Sequence, residues 1–143
     1  MCVIVLVKQG FSLKQEDARA MFSTNDDGAG FAYVDDTLKR VIVTKGFLVF
    51  EAFWDAYQKA ATKFANDSPF LIHFRIATKG KIGETNCHPF VMGQGKAALA
   101  HNGSFWGGTK LDASSDTKEF VDDLETVLVN KDAFNPKTIE LLE

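Results

Sequence analysis

A cysteine at position 2 places a thiol where removal of Met1 would leave a free amine on the same residue. A free thiol, with a pKa of about 8.5, is only a few per cent ionised at neutral pH. An α-amine, with a pKa of about 7.7–8.0, is partly neutral there and able to accept the proton. Nucleophile and base would then sit on one residue, the arrangement that N-terminal nucleophiles use. Taken alone, a Met-Cys start reads first as a small apolar side chain opening a core strand, and only further residues can raise the nucleophile reading above it.

Other segments supply polar groups that such chemistry needs. Arg75 stands on the polar face of an apolar stretch, where its planar fork suits two-point contact with a carboxylate or a structural ion pair. Thr78, Lys79 and Gly80 follow as a loop able to close over whatever Arg75 holds. His101-Asn102-Gly103 joins a side-chain amide to a permissive backbone residue, so that two N–H groups could converge as an oxyanion hole. Asn-Gly is also the signal of a tight hairpin. Asp116 reads as the N-cap of a helix with Glu119 three residues on, or as a carboxylate for an ammonium group. Cys2, His73, Cys87, His88 and His101 lack the paired spacing of a metal site, so no metal is expected. Gly28-Ala29-Gly30 lacks the rest of a nucleotide motif, and no cofactor is expected.

The elements that must position these groups follow from the apolar pattern. Residues 2–7 form a continuous β-branched run that reads as a strand buried on both faces. A helix over Lys14–Phe22 leads to the turn cluster Asn25-Asp26-Asp27-Gly28. Gly30–Val34 and Lys39–Thr44 read as a hairpin joined at Asp35-Asp36-Thr37. Val49–Ala65 carries Phe50, Phe53, Trp54, Tyr57, Ala61 and Phe64 on one helical face. Along Phe70–Ile76, Phe70, Ile72, Phe74 and Ile76 alternate with Leu71, His73 and Arg75. Pro89 opens a further strand, Ala97–His101 is another, Ser115–Val129 is a helix, and Lys137–Leu142 is a short one. Strands and helices come in blocks, which favours an α+β class with antiparallel sheets and outer helices.

The chain of 143 residues has 45% apolar residues, 13 phenylalanines and a net charge of -3. That length makes one domain, 1–143, with a core that needs no staples. The mild acidity gives no nucleic-acid footprint, no apolar run is long enough to cross a membrane, and residues 1–7 lack the features of a signal peptide. Two cysteines without framework spacing point to a reducing compartment, the cytoplasm.

In chain order, Met1-Cys2, Asn25-Asp26-Asp27-Gly28-Ala29-Gly30-Phe31-Ala32-Tyr33, His73-Phe74-Arg75-Ile76-Ala77-Thr78, Asn86-Cys87-His88-Pro89-Phe90, His101-Asn102-Gly103 and Ser115-Asp116-Thr117 resemble the class II glutamine amidotransferases of the N-terminal nucleophile hydrolase superfamily. The likeness is strongest to short stand-alone bacterial and phage forms. It implies a four-layer αββα sandwich of two antiparallel sheets, trimmed toward its C-terminus. It further implies Cys2 as nucleophile, Asn102 and Gly103 as oxyanion hole, and Arg75 with the Thr78 region on the glutamine α-carboxylate. Asp116 would take the α-ammonium, and His88 would position the substrate. Glutamine would pass through a γ-glutamyl thioester to glutamate, releasing ammonia, with a separate synthase as its acceptor. Val3 departs from the glycine common after the nucleophile. A second reading stays open: a non-catalytic bacterial or phage protein on this fold that binds a partner protein, in the host cytoplasm if phage-encoded.

Overall fold

The computed structural model describes residues 1–78, 80–105 and 114–128, with side chains as far as 126. The short helix expected at Lys137–Leu142, Lys79 of the Arg75 loop, Val129, and the side chains of Val127 and Leu128 lie outside the described residues. The elements in chain order are β1 (Val3–Val7), α1 (Gln15–Thr24), β2 (Ala29–Asp35), β3 (Arg40–Phe47), α2 (Phe50–Phe64), β4 (Phe70–Phe74), β5 (Phe90–Met92), β6 (Ala97–Leu99) and α3 (Asp116–Leu128). The class is α+β. Among the described residues, one antiparallel sheet runs β1-β4-β2-β3 and a second is the antiparallel pair β5-β6.

Register turns the alternation of the strands into two distinct sheet faces. Val5 lies opposite Ile72, which lies opposite Phe31; Val7, Phe70 and Tyr33 form the next row. Side chains two apart share a face, so these rows meet the stripe of α2. Phe53 and Tyr57 of α2 are buried and meet Phe31, Phe70 and Phe74 edge-on at centroid distances of 5.1–6.1 Å. That separation and tilt suit the ring quadrupoles. Phe64 packs on the edge of this core, stacked on Tyr33 at 4.6 Å. α1 adds Ala18 and Phe22 to the same cluster.

The opposite face carries the row Ile4, His73, Gly30 and Lys45. Here the loop before β5 passes so close that a Cβ on Gly30 would lie 2.3 Å from the His88 carbonyl oxygen. Only glycine permits that approach. Lys45 donates from Nζ to the Cys87 carbonyl at 2.8 Å and sits 3.7 Å over the Phe90 ring, which fastens the hairpin to the sheet. Burial, first among the influences on it, pushes Lys45 down to about 8.

Three expectations need correction. β1 is an edge strand: Ile4 is 39% and Leu6 68% exposed, on the face away from the helices. A continuous apolar run does not reveal whether both faces will find a covering layer. The β2–β3 turn lies later than expected. Asp35 ends β2, and its Oδ1 accepts from the amides of Thr37 and Leu38 before Lys39 turns back at φ 52°. Asp116 is not the N-cap of α3. Ser115 is, its Oγ accepting from the Lys118 amide at 3.2 Å, and this frees the Asp116 carboxylate.

Candidate active site

β1 and β4 pair from Val7–Phe70 to Val3–Phe74, so the residues beyond each end, Cys2 and Arg75-Ile76, emerge together. The Cys2 thiol rests on the backbone of Ile76, 3.4 Å from its carbonyl oxygen and 3.4 Å from its amide nitrogen. The Asn102 amide donates from Nδ2 to the Cys2 carbonyl at 2.7 Å, joining residues 100 apart in sequence. Gly103 follows at φ 139°. Ser104 and Phe105 do not continue as a strand, so among the described residues Asn102-Gly103 closes no two-residue hairpin.

Arg75 is only 4% exposed. Its amide donates to Gly28 at 2.7 Å, its carbonyl accepts from Asp27 at 3.0 Å, and its Nη1 reaches the Lys81 carbonyl at 3.4 Å. The Asp27 carboxylate extends the grip by accepting from the Ala77 amide at 2.7 Å. Asp27 looks like one residue of a turn cluster in the sequence. No local signal distinguishes it from Asp26, because its partner lies 50 positions away.

Asp116 holds two backbone donors, Phe105 through Oδ2 at 2.9 Å and Thr117 through Oδ1 at 2.8 Å. The Thr117 hydroxyl also lies 3.5 Å from Oδ1; a carboxylate has acceptor sites for about four donors, so Oδ2 keeps capacity for another. A carboxylate in the first turn of α3 is also favoured by the helix dipole.

His88 is buried, its ring 4.3 Å from that of His73, and its Nδ1 accepts from the His101 amide at 3.4 Å. That contact assigns its proton to Nε2. Burial above all, then the neighbouring His73, Lys45 and Arg75, pushes His88 down to about 2. Burial likewise takes His73 down to about 4, and with the His101 amide spent on His88, neither His73 ring nitrogen makes a well-formed hydrogen bond among the described residues. Both rings are neutral wherever the chain is folded near neutral pH. His101 stacks on Phe105 at 4.1 Å, and Phe105 on Phe120 at 4.3 Å, lining up the segment that carries Asn102 and Gly103.

These placements converge. Cys2, Arg75, Thr78, His88, Gly103 and Asp116 all line one cleft, with Asn102 beside it through the Cys2 carbonyl. The cleft is tight, about 20 Å³ of free space, roughly enough for one water. Among the described residues no group of three or more His, Cys, Asp or Glu side chains is arranged to hold a metal ion. No helix among them is long and apolar enough to cross a membrane.

The family model of the class II glutamine amidotransferases matches residues 1–120. The chain belongs to that family. No curated protein and no solved structure matches it. Membership points to a glutamine amidotransferase-type function for the chain, and the matched span contains every residue named above as lining the cleft.

Proposed function

We propose that this amidotransferase-family chain hydrolyses the side-chain amide of glutamine, with Cys2 as nucleophile once Met1 has been removed. The observation that carries the reading is the convergence of the Cys2 thiol, a buried guanidinium and a carboxylate in one cleft. A cation and an anion placed apart from the nucleophile match the two charged ends of an α-amino acid and leave its side chain toward the thiol. Met1 is 91% exposed, so it is accessible for removal.

In this mechanism the new α-amine takes the thiol proton and the sulfur attacks the amide carbon. Asn102 has a second N–H on Nδ2 besides the one on the Cys2 carbonyl, and with the Gly103 amide it stabilises the oxyanion, a contribution worth roughly 3 kcal/mol of barrier. The amine returns the proton as the C–N bond breaks, ammonia leaves, and a γ-glutamyl thioester remains. Water then attacks the thioester, giving glutamate and the free thiol. Arg75 and the Thr78 backbone hold the α-carboxylate, and Asp116 the α-ammonium. His88, neutral and engaged at Nδ1, positions rather than transfers protons. The cleft is too tight for glutamine as it stands, so binding parts its walls. Ammonia passes to a separate synthase.

The layering supports the wider fold reading. α1 and α2 cover one sheet face, the β5-β6 hairpin touches β3 from the other, and α3 touches β5. We take this as a reduced four-layer αββα sandwich of the N-terminal nucleophile type, with residues 1–143 as one domain.

The test is intact mass before and after 6-diazo-5-oxonorleucine, a glutamine-like electrophile, followed by a glutaminase assay. The expected result is loss of the methionine mass, one adduct, and none on Cys2→Ala. Cys87 does not compete, since it is 0% exposed and burial pushes its thiol pKa up. Cys2→Ala should lower turnover roughly a thousandfold or more. Retained Met1 with no adduct would sink the nucleophile and favour a partner-binding role.

A further inference from the structure

Resting on that reading of the cleft, we propose that Asn86 is the residue that sets the distance between the two substrate anchors, Arg75 and Asp116. It belongs to a 3-10 turn, Glu84–Asn86, and is 3% exposed. Its Nδ2 donates to the Lys81 carbonyl at 2.9 Å, and its Oδ1 accepts from the Ser115 amide at 2.9 Å. The Lys81 carbonyl also receives Arg75 Nη1, and Ser115 is the N-cap from which Asp116 starts α3. One side-chain amide thus spans from the guanidinium's own acceptor to the residue beside the carboxylate. These two partners fix its orientation, because the oxygen must face the N–H and the nitrogen the carbonyl.

A second, independent contact draws the same two walls together. Gly80, at φ 72°, lies so near the start of α3 that an added Cβ would sit 2.7 Å from the Ser114 carbonyl and the Ser115 nitrogen. The loop after Arg75 and the N-terminus of α3 are therefore in backbone contact, and Asn86 ties that contact from beneath. The turn holding Asn86 is itself braced, its amide donating to Gly83 at 3.2 Å and that of Cys87 to Glu84 at 3.2 Å.

A residue acting on the spacing of two anchors has a kinetic signature that general damage lacks. A substrate gripped at both ends feels the spacing; a substrate gripped at one end does not. Three amides separate these cases: glutamine, glutaramate (no α-ammonium) and 4-aminobutanamide (no α-carboxylate). Loss of a buried bridging amide corresponds to roughly a tenfold effect. Asn86→Ala should raise KM for glutamine about tenfold with kcat within about twofold. Its kcat/KM for the two single-anchor amides should stay within about twofold of wild type. Asn86→Asp keeps the acceptor for Ser115 and loses the donor to Lys81, so its KM should fall between, and it serves where the alanine variant does not fold. An equal fall on all three amides, or an unmoved KM for glutamine, would overturn the proposal. Should the wild-type chain hydrolyse none of them, the glutaminase reading fails instead, and amide hydrogen exchange then tests the clamp. Asn86→Ala should speed exchange at Ser115 at least tenfold, and unchanged exchange there would refute it.

Discussion

Along β2 and β4, successive side chains belong to two surfaces of different kinds. Toward the helices stand Phe31, Tyr33, Phe70, Ile72 and Phe74, close-packed against α2. Away from them stand Gly30, Ala32, Leu71 and His73, and this is the face against which His88 and the hairpin lie. The first surface is held by area and ring geometry, the second by single directional contacts: a carbonyl over Gly30, an ammonium on a carbonyl, one imidazole against another. A surface of the first kind tolerates some redistribution of volume. One of the second kind fails contact by contact, since a buried polar group that loses its partner is left unsatisfied.

The sharpest way to test this contrast is to damage the first surface and ask whether the second notices. Phe53 is 0% exposed and touches the rings of Phe31, Phe47, Phe50, Tyr57 and Phe74. Phe53→Ala should cost about 3–5 kcal/mol of stability, read as a lower urea midpoint. At low temperature the kcat/KM per folded molecule should remain within about twofold of wild type. A fall in kcat/KM to match the lost stability would mean that the aromatic layer tunes the cleft directly.

The second surface should reveal itself through pH. An unfolded imidazole titrates near 6.5, whereas in the fold His73 is lowered to about 4 and His88 to about 2. Between those values and 6.5 the unfolded chain binds protons that the folded chain refuses. Stability is therefore full above about pH 6.5 and is lost as pH falls toward 4, with His88 continuing the loss below. His73→Phe removes one of the two groups without removing a ring, and Arg75, His88 and His101 remain around it. Its melting temperature should decline less steeply than wild type between pH 6.5 and 4. Parallel acid limbs for the two proteins would show that His73 does not titrate with folding.

The two surfaces were unequally legible in the sequence. The aromatic one was readable because its signal is periodic: Phe70, Ile72 and Phe74 alternate, and Phe53, Trp54 and Tyr57 recur at helical spacing. The candidate site was legible by residue type: Cys2, Arg75 and Asp116, singled out for the groups they carry, line one cleft, and Asn102 stands beside it on the Cys2 carbonyl. What stayed hidden were the residues whose role lies only in their partners. Asp27 looks like a turn aspartate until Ala77 arrives at its carboxylate, and Asn86 looks like a loop polar residue until Lys81 and Ser115 close on it. The same limit misplaced the helix cap, because Ser115 and Asp116 are each good caps by composition.

β1 offers the smallest effect and a test of where the contrast ends. Its inward residues Val3 and Val5 join the aromatic surface, while Leu6 points the other way at 68% exposure, past the part of the face that the hairpin covers. Threonine brings the β-branching that strands favour and puts a hydroxyl where water already reaches. Leu6→Thr should shift the unfolding free energy by no more than about 0.5 kcal/mol and leave activity unchanged. A loss near 2 kcal/mol, the scale of a buried leucine, would mean that the outer row of β1 is covered in solution. The sheet would then have an apolar layer on each face, and its polar contacts would be confined to the single end where Cys2, His73 and Arg75 emerge.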